Sequence, residues 1–187
     1  MTTIAAIQGD GWAVIGADSR ITDDGRMYEF PYGKIALNNG IYIAGAGTMR
    51  GLNILHHGWK APAPTGRESL NSFMSKKFIP QMRKAFIDAG YDMKEDGDAA
   101  GHDTEFLIAV KGRVYRVNED YSWDVDARGV YCSGSGGDYA AGVLEVLRAH
   151  AAKTPTAAVK MVKRAIGVAE KFDTNTGGTI HVVVQHG

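Results

Sequence analysis

Four short apolar segments occupy the N-terminal quarter of the chain, before any helical pattern begins. This arrangement of strand-like segments ahead of helical ones restricts the possible folds more than any other feature of the sequence. Each segment is bounded by turn residues, which is typical of strands. Gly9, Asp10 and Gly11 form a turn signal between the first two segments, and the Asn39-Gly40 hairpin signal separates the last two. Because short strands joined by tight turns pair antiparallel, we predict antiparallel sheet. The predicted strands are residues 3–7, 12–17, 34–37 and 41–44.

Helical periodicity takes over in the middle of the chain. Between Leu70 and Phe86, apolar residues recur at i, i+3 and i+4 on one face, and we expect Pro80 to kink or divide this helix. A hairpin turning at Lys111-Gly112 follows, then a short strand, two helices and a last strand. This order predicts an α+β fold, and two antiparallel sheets covered by helices on both outer faces would satisfy it, as would other α+β arrangements. The predicted elements are strands 106–110, 113–117, 130–132 and 179–185, and helices 138–152 and 156–172.

Composition argues against several classes of function. The 21 basic residues balance 21 acidic ones, so nothing predicts electrostatic capture of nucleic acid or of an anionic membrane. Cys132 is the only cysteine, which excludes an intrachain disulfide and a cysteine-rich zinc site. No apolar run approaches the ~20 residues of a membrane span, and the N-terminus has no signal-peptide pattern. We expect a single-domain cytoplasmic protein that needs no metal or cofactor.

An acidic, glycine-bearing stretch at residues 91–105 loosely resembles a calcium loop. It lacks the alternating ligand spacing and the closing glutamate of an EF-hand. We therefore predict a solvated loop here.

Thr2 is notable for its position. Initiator methionine is normally removed when a small residue follows, and we expect removal of Met1 to give Thr2 a free α-amine. Such an amine has a pKa of about 7.7–8.0, so near neutrality a useful fraction can act as a base. One residue would then supply both the nucleophile and the base. Because many proteins begin Met-Thr, Thr2 needs support from other residues.

Two charged residues could provide that support. Asp18 ends the second predicted strand, and Lys34 begins the third. An ammonium group beside Thr2 would lower the pKa of its amine and hydroxyl, and a carboxylate would keep that ammonium charged and oriented. Taken alone, each residue is better explained as a surface charge than as a catalytic group.

Three polar or glycine-rich segments could complete a site. Gly45 follows a predicted strand, where its unhindered N–H could form an oxyanion hole. Ser135 lies in a glycine-rich turn before a helix, and Asp173 and Thr176 lie in a polar turn before the last strand. Helix capping and turn formation would also explain these residues. The glycine spacing around Gly47 does not fit the dinucleotide fingerprint, and no P-loop lysine follows Ser135.

Taken in order, these residues resemble the proteasome β-subunit family of N-terminal-nucleophile hydrolases, including HslV-type peptidases. The opening TTIAAIQGDGWAVIGADSR is similar to the start of that family, with threonine first and Ala-Asp-x-Arg closing the second strand. Asp18 and Lys34 fall at the spacing of its catalytic aspartate and lysine without a gap. The segments at Gly45 and Ser135 are similar to its oxyanion-hole and Gly-Ser-Gly segments, and the 173–177 turn differs from its Asp-x-x-Ser-Gly turn in carrying Thr176.

The resemblance implies a four-layer αββα sandwich and a threonine-type endopeptidase. Its catalytic residues would be Thr2, Asp18, Lys34, Gly45, Ser135, Asp173 and Thr176. The substrate pocket, favouring apolar side chains, would contain Ile21, Tyr32, Ile43 and Gly47. The expected partners are copies of the same chain in one ring or two stacked rings, unfolded protein or peptide substrates, and an unfoldase ATPase. Two alternatives stay open, namely a hydrolase of small amides and a catalytically silent assembly subunit.

Overall fold

The computed structural model describes residues 2–31, 33–66, 68–92 and 101–187. Runs of strands and runs of helices follow one another in these ranges, as the α+β prediction requires. The strands are β1 (Ile4–Gly9), β2 (Trp12–Ala17), β3 (Arg20–Asp23), β4 (Arg26–Glu29), β5 (Ile35–Asn38), β6 (Ile41–Gly47), β7 (Thr104–Val110), β8 (Arg113–Val117), β9 (Trp123–Asp124), β10 (Val130–Ser133) and β11 (His181–His186). The α-helices are α1 (Met49–Asn53), α2 (Leu70–Phe73), α3 (Ile79–Asp88), α4 (Gly137–Val146) and α5 (Pro155–Phe172).

The strands form two antiparallel sheets and a separate hairpin. The first sheet has the order β10-β1-β2-β11, and the second has the order β5-β6-β7-β8-β9. The hairpin pairs β3 with β4. The antiparallel prediction is confirmed, and all four predicted N-terminal strands are present, with bounds that differ from the predicted ones by three residues at most. The register that matters most pairs Ile4 with Ala17 and with Ser133, because it brings the start of β1 beside the ends of β2 and β10.

Apolar side chains fill three clusters, one between the sheets and one on the outer side of each sheet. Because successive residues of a strand point to opposite faces, Ile4 and Ala6 enter the cluster between the sheets, while Ala5 and Ile7 pack with α4 and α5. Gly16 allows α5 to approach β2 closely, since a Cβ atom there would lie 2.4 Å from Val162. The outer face of the second sheet is covered by residues of α1, α2 and α3.

Several elements differ from the prediction. The β3–β4 hairpin and α1 were not predicted. The predicted division of the helix near Pro80 is present, since a π-helical turn (Met74–Phe78) separates α2 from α3 and Pro80 lies in the first turn of α3. Helix α4 ends at Val146 and not at residue 152 as predicted. Two residues after this end, Arg148 takes a left-handed conformation with φ 53°. The final strand begins two residues later than predicted.

Most of the predicted acidic loop, residues 93–100, lies outside the described residues, and so the calcium alternative stays a sequence-based consideration. Across the described ranges, no helix is both long and apolar enough to cross a lipid bilayer.

Candidate active site

Thr2 lies in the wall of a cavity of about 490 Å³, just before the start of β1. The residue is only 3% exposed. Its carbonyl oxygen accepts a 3.5 Å hydrogen bond from Gly136 N–H, and Gly134 packs so closely that an added Cβ atom would lie 2.0 Å from the same oxygen. Glycine at the β10–α4 turn therefore lets this turn hold the Thr2 backbone. The cavity is lined by Thr2, Arg20, Ile21, Thr22, Asp23, Tyr28, Lys34, Gly47, Thr48 and Met49.

Asp18 is fully buried at the end of β2 and accepts four hydrogen bonds. Its Oδ1 atom accepts from Lys34 Nζ at 3.0 Å and from Thr3 N–H at 2.9 Å. Its Oδ2 atom accepts from the N–H groups of Arg20 and Gly177, both at 3.1 Å. A buried carboxylate with this many donors is held in one orientation. Asp18 thus ties the Thr2–Thr3 segment and Lys34 together.

Lys34 lies on the segment leading into β5, with its side chain 1% exposed. Burial lowers the pKa of its ammonium group, while the charge and hydrogen bond of Asp18 oppose that shift. Lys34 and Thr2 both line the cavity, so a buried cation lies in the same wall as the candidate nucleophile. This arrangement favours negative charge developing nearby.

A second polar network lies behind Thr2 and contains three of the predicted residues. Asp173 Oδ2 accepts from Ser135 Oγ at 2.7 Å and from Thr176 Oγ1 at 2.6 Å. Although partial burial raises the pKa of Asp173, hydrogen bonds from Thr176, Ser135 and Asn175 lower it below its usual range. Thr3, which was not predicted, connects this network to the N-terminus through a 2.5 Å hydrogen bond between its hydroxyl and that of Thr176.

The end of β6 contributes Gly47 to the cavity wall, whereas Gly45, two residues earlier, is not among the residues that line the cavity. The pairing of β6 with β5 ends where Ala44 pairs with Ile35, at the start of β5. From Gly45 onward, the edge of β6 on the side of β5 therefore lies outside the paired segment. Gly45 also pairs with Phe106, and a Cβ atom there would lie 2.9 Å from Leu52 and Phe106. Glycine at this position is thus required by packing on the helical side.

The four predicted pocket residues divide into three groups. Ile21 and Gly47 line the cavity. Ile43 does not line this cavity, because strand alternation directs its side chain into the apolar cluster beneath the helices, where it is fully buried. Tyr32 lies outside the described residues.

Sequence reasoning missed Tyr28 and Met49 as cavity residues, and it gave Arg20 no role. Tyr28 reaches the cavity because it pairs with Ile21 across the β3–β4 hairpin, whose alternating pattern is too short to detect. Arg20 donates to the carbonyl oxygens of Thr174 and Thr176 at 3.2 and 2.7 Å, which fastens β3 to the Asp173 turn. Only this Arg20 contact had a sequence signal, the Ala-Asp-x-Arg pattern.

Within the described ranges, no group of three or more His, Cys, Asp or Glu side chains is placed to hold a metal ion. The polar groups in and next to the cavity wall are the Thr2 hydroxyl, the buried Lys34 ammonium group and a set of hydrogen-bond acceptors and donors fixed by Asp18. Such a set can carry out acyl transfer through a hydroxyl group.

Comparison with solved structures gives close matches in fold over the whole chain. The chain is similar to Thiobacillus denitrificans BPH, with a TM-score of 0.79, 19% sequence identity, and coverage of 99% of this chain and 98% of that chain. A BPH chain in complex with epoxomicin matches with a TM-score of 0.78 at the same identity and coverage. The eukaryotic HslV from Trypanosoma brucei matches with a TM-score of 0.66 and 17% identity over 100% of both chains. No protein-family model and no curated protein matches the sequence. The chain therefore has the fold of HslV and BPH chains, as the sequence resemblance predicted.

Proposed function

We propose that this protein is a threonine-type endopeptidase of the N-terminal-nucleophile class, with Thr2 as its nucleophile. The observation that carries the proposal is that Thr2 and Lys34 line the same cavity, while Asp18 binds both the Lys34 ammonium group and the Thr3 N–H. The HslV-like and BPH-like fold supports this function. The finer fold proposal is one domain arranged as a four-layer αββα sandwich, and the three apolar clusters support it.

Catalysis would begin with removal of Met1, which gives Thr2 its α-amine. The neutral amine takes the proton from the Thr2 hydroxyl, directly or through a water molecule, and Oγ1 attacks the carbonyl carbon of the substrate peptide. Lys34 stabilises negative charge on the attacking oxygen, and Asp18 keeps Lys34 charged and oriented. Ser135, Asp173, Thr176 and Thr3 would position the Thr2 backbone and amine.

The tetrahedral intermediate then collapses in a balanced sequence. Its oxyanion would accept a hydrogen bond from Gly45 N–H, a contact of a type worth about 3–4 kcal/mol. The carbon–nitrogen bond breaks as the Thr2 ammonium protonates the leaving amine, and an ester on Thr2 remains. The amine next removes a proton from water, the hydroxide attacks the ester, and the carboxylic acid and the Thr2 hydroxyl are released.

Self-assembly into a homo-oligomeric ring, alone or as two stacked rings, is also part of the proposal, with unfolded proteins as substrates and an unfoldase ATPase as a candidate partner. Large apolar side chains exposed on α4 and the end of α5 support burial of this face in an assembly, since Val146 is 84% exposed and Phe172 65% exposed. Sedimentation velocity at several protein concentrations tests this part, and a monomer of 20.1 kDa at every concentration would contradict it. A cytoplasmic location stays a prediction.

The function is tested by intact mass and peptide hydrolysis, measured for the wild type, Thr2→Ala and Thr2→Ser. We expect loss of Met1 in all three, hydrolysis of a fluorogenic peptide by the wild type, weaker hydrolysis by Thr2→Ser, and none by Thr2→Ala, since alanine has no nucleophilic oxygen. Equal hydrolysis by the wild type and Thr2→Ala would refute the mechanism.

Two further measurements distinguish the proposed peptidase from the small-amide hydrolase and from the silent assembly subunit. Hydrolysis of acylated small molecules but not of peptides would select the small-amide hydrolase. Epoxomicin, which the BPH chain binds in its solved complex, provides a probe of the cavity. A wild type that neither reacts with threonine-directed inhibitors nor cleaves either substrate would favour the silent assembly subunit.

A further inference from the structure

A cluster of three hydroxyl groups around one carboxylate lies directly behind the cavity wall at the end of β6. Asp103 Oδ1 accepts hydrogen bonds from Thr48 Oγ1 at 2.9 Å, from Thr104 Oγ1 at 3.3 Å, and from the hydroxyl of Tyr91. Tyr91 also contacts the hydroxyls of Thr48 and Thr104. We refer to Thr48, Tyr91, Asp103 and Thr104 as the hydroxyl cluster. Of these four residues, Thr48 lines the cavity that contains Thr2.

The hydroxyl cluster also contacts the backbone of the cavity wall. Gly47 pairs with Thr104, and a Cβ atom on Gly47 would lie 2.3 Å from the carbonyl oxygen of Asp103. Gly47 has φ 144°, which favours glycine. Thr104 Oγ1 donates to Thr48 O at 3.5 Å. The position of the wall backbone is therefore determined by contacts with Asp103 and Thr104 on its outer side.

Tyr91 anchors the hydroxyl cluster in the core. Its side chain is 6% exposed, and its ring packs edge-on against Phe86 with the centroids 5.1 Å apart. Burial, together with the hydrogen bond to Asp103, raises the pKa of Tyr91. The phenol therefore stays protonated near neutral pH and can donate to Asp103 continuously.

We propose that Tyr91 and Asp103 are positioning residues that hold the Gly47-Thr48 backbone, and through Ala46 the N–H group of Gly45, at the distance from Thr2 that catalysis needs. The inference rests on the proposed function of Thr2, because the wall matters for rate only if acyl transfer occurs there. A contact that aligns an oxyanion donor acts in the transition state. Its loss therefore lowers kcat and kcat/KM together and leaves KM nearly unchanged.

The test compares Tyr91→Phe with Tyr121→Phe. Tyr121 is a matched control, because it is 8% exposed and its hydroxyl donates to Asp92 Oδ1 at 2.6 Å, yet it does not line the cavity. Both variants lose one part-buried hydroxyl–carboxylate bond and keep the ring, and Tyr91→Phe also loses the contacts of its hydroxyl with Thr48 and Thr104. We expect Tyr91→Phe to lower kcat by about tenfold with KM within about twofold, and Tyr121→Phe to leave both constants unchanged. Similar melting temperatures in the two variants would show that stability does not cause the difference.

Two more measurements complete the test, namely the activity of conservative Asp103 variants and the rate of amide hydrogen exchange. Asp103→Asn keeps an acceptor oxygen and should retain more activity than Asp103→Ala. Hydrogen–deuterium exchange at residues 47–51 should be faster in Tyr91→Phe than in Tyr121→Phe. Equal kcat values for the two tyrosine variants, in an active wild type, would overturn the proposal. If the wild type cleaves no substrate, the proposed function is wrong, and amide exchange alone tests the positioning role. In that case, an exchange rate at residues 47–51 that Tyr91→Phe leaves unchanged would overturn the positioning role.

Discussion

Asp18 and Lys34 form a buried ion pair whose carboxylate also orders three backbone N–H groups around Thr2. Removing one partner of a buried pair is far more costly than losing an exposed pair, because the remaining charge stays in a poorly solvated place. The pair therefore determines the stability of the site as well as its electrostatics.

Lys34→Met should lower the free energy of unfolding by about 3–5 kcal/mol and abolish peptide hydrolysis, because Asp18 would keep a buried charge without its cation. Urea unfolding and the peptide assay measure these effects. Lys84→Met is the control, since Lys84 pairs with Asp88 at 2.8 Å on an exposed helical face and its loss should cost no more than about 0.5 kcal/mol. Equal destabilisation by the two substitutions would contradict the importance given to the buried pair.

At the scale of elements, the start of α4 approaches the N-terminal strand closely enough to fix the polar network. Gly136 precedes the helix, and a Cβ atom there would lie 1.9 Å from Thr3 Oγ1 and 2.7 Å from Thr176 Oγ1. Its φ of −92° is open to any residue, so this glycine is required for space and not for backbone freedom.

Gly136→Ala should therefore displace Thr3 or Thr176, lower kcat by at least about tenfold, and destabilise the fold by about 1–3 kcal/mol through overpacking. Gly167→Ala in α5 provides the control, because a Cβ atom there would meet only Ile180 Cδ1 at 3.9 Å, an ordinary van der Waals distance. That variant should keep its activity and gain about 0.5–1 kcal/mol from the higher helix propensity of alanine. The expectation fails if Gly136→Ala is as active as Gly167→Ala.

For the whole molecule, two partly or fully buried histidines make stability depend on pH. Burial lowers the pKa of both His56 and His102 to about 4, against an ordinary value of 6.5. The unfolded chain therefore binds more protons than the folded one between these values. The stabilisation is complete above pH about 6.5, and it is lost progressively as the pH falls toward 4.

His102→Asn should flatten this dependence. His102 is 3% exposed, and its Nδ1 atom accepts from Thr104 N–H at 3.3 Å, a role that the Asn side-chain oxygen can take over. We expect the melting temperature of the wild type to fall between pH 6.5 and 4, and that of His102→Asn to fall less steeply. Thermal unfolding at half-unit pH steps measures both slopes, and parallel slopes would contradict the assignment to His102.

The sequence determined four of the six strands before the first helix, the antiparallel pairing and the order of the polar segments, because tight turns and periodicity are local properties. Asp18 and Lys34 could be named from their spacing to Thr2, and the structure brings them into hydrogen-bond contact. The catalytic roles of these residues remain predictions that the experiments above test.

Only the tertiary structure decided which residues meet across long separations. The hydroxyl of Thr3 contacts that of Thr176, and the side chains of Tyr91 and Asp103 contact Thr48. These residues meet because the packing of sheets and helices brings segments together that are far apart in the sequence. Ile43 was predicted to line the pocket, but its side chain packs in the apolar cluster beneath the helices, and apolarity alone does not distinguish a pocket wall from a core position. Local pattern therefore determined the elements and their order, whereas packing between distant segments decided the walls of the cavity.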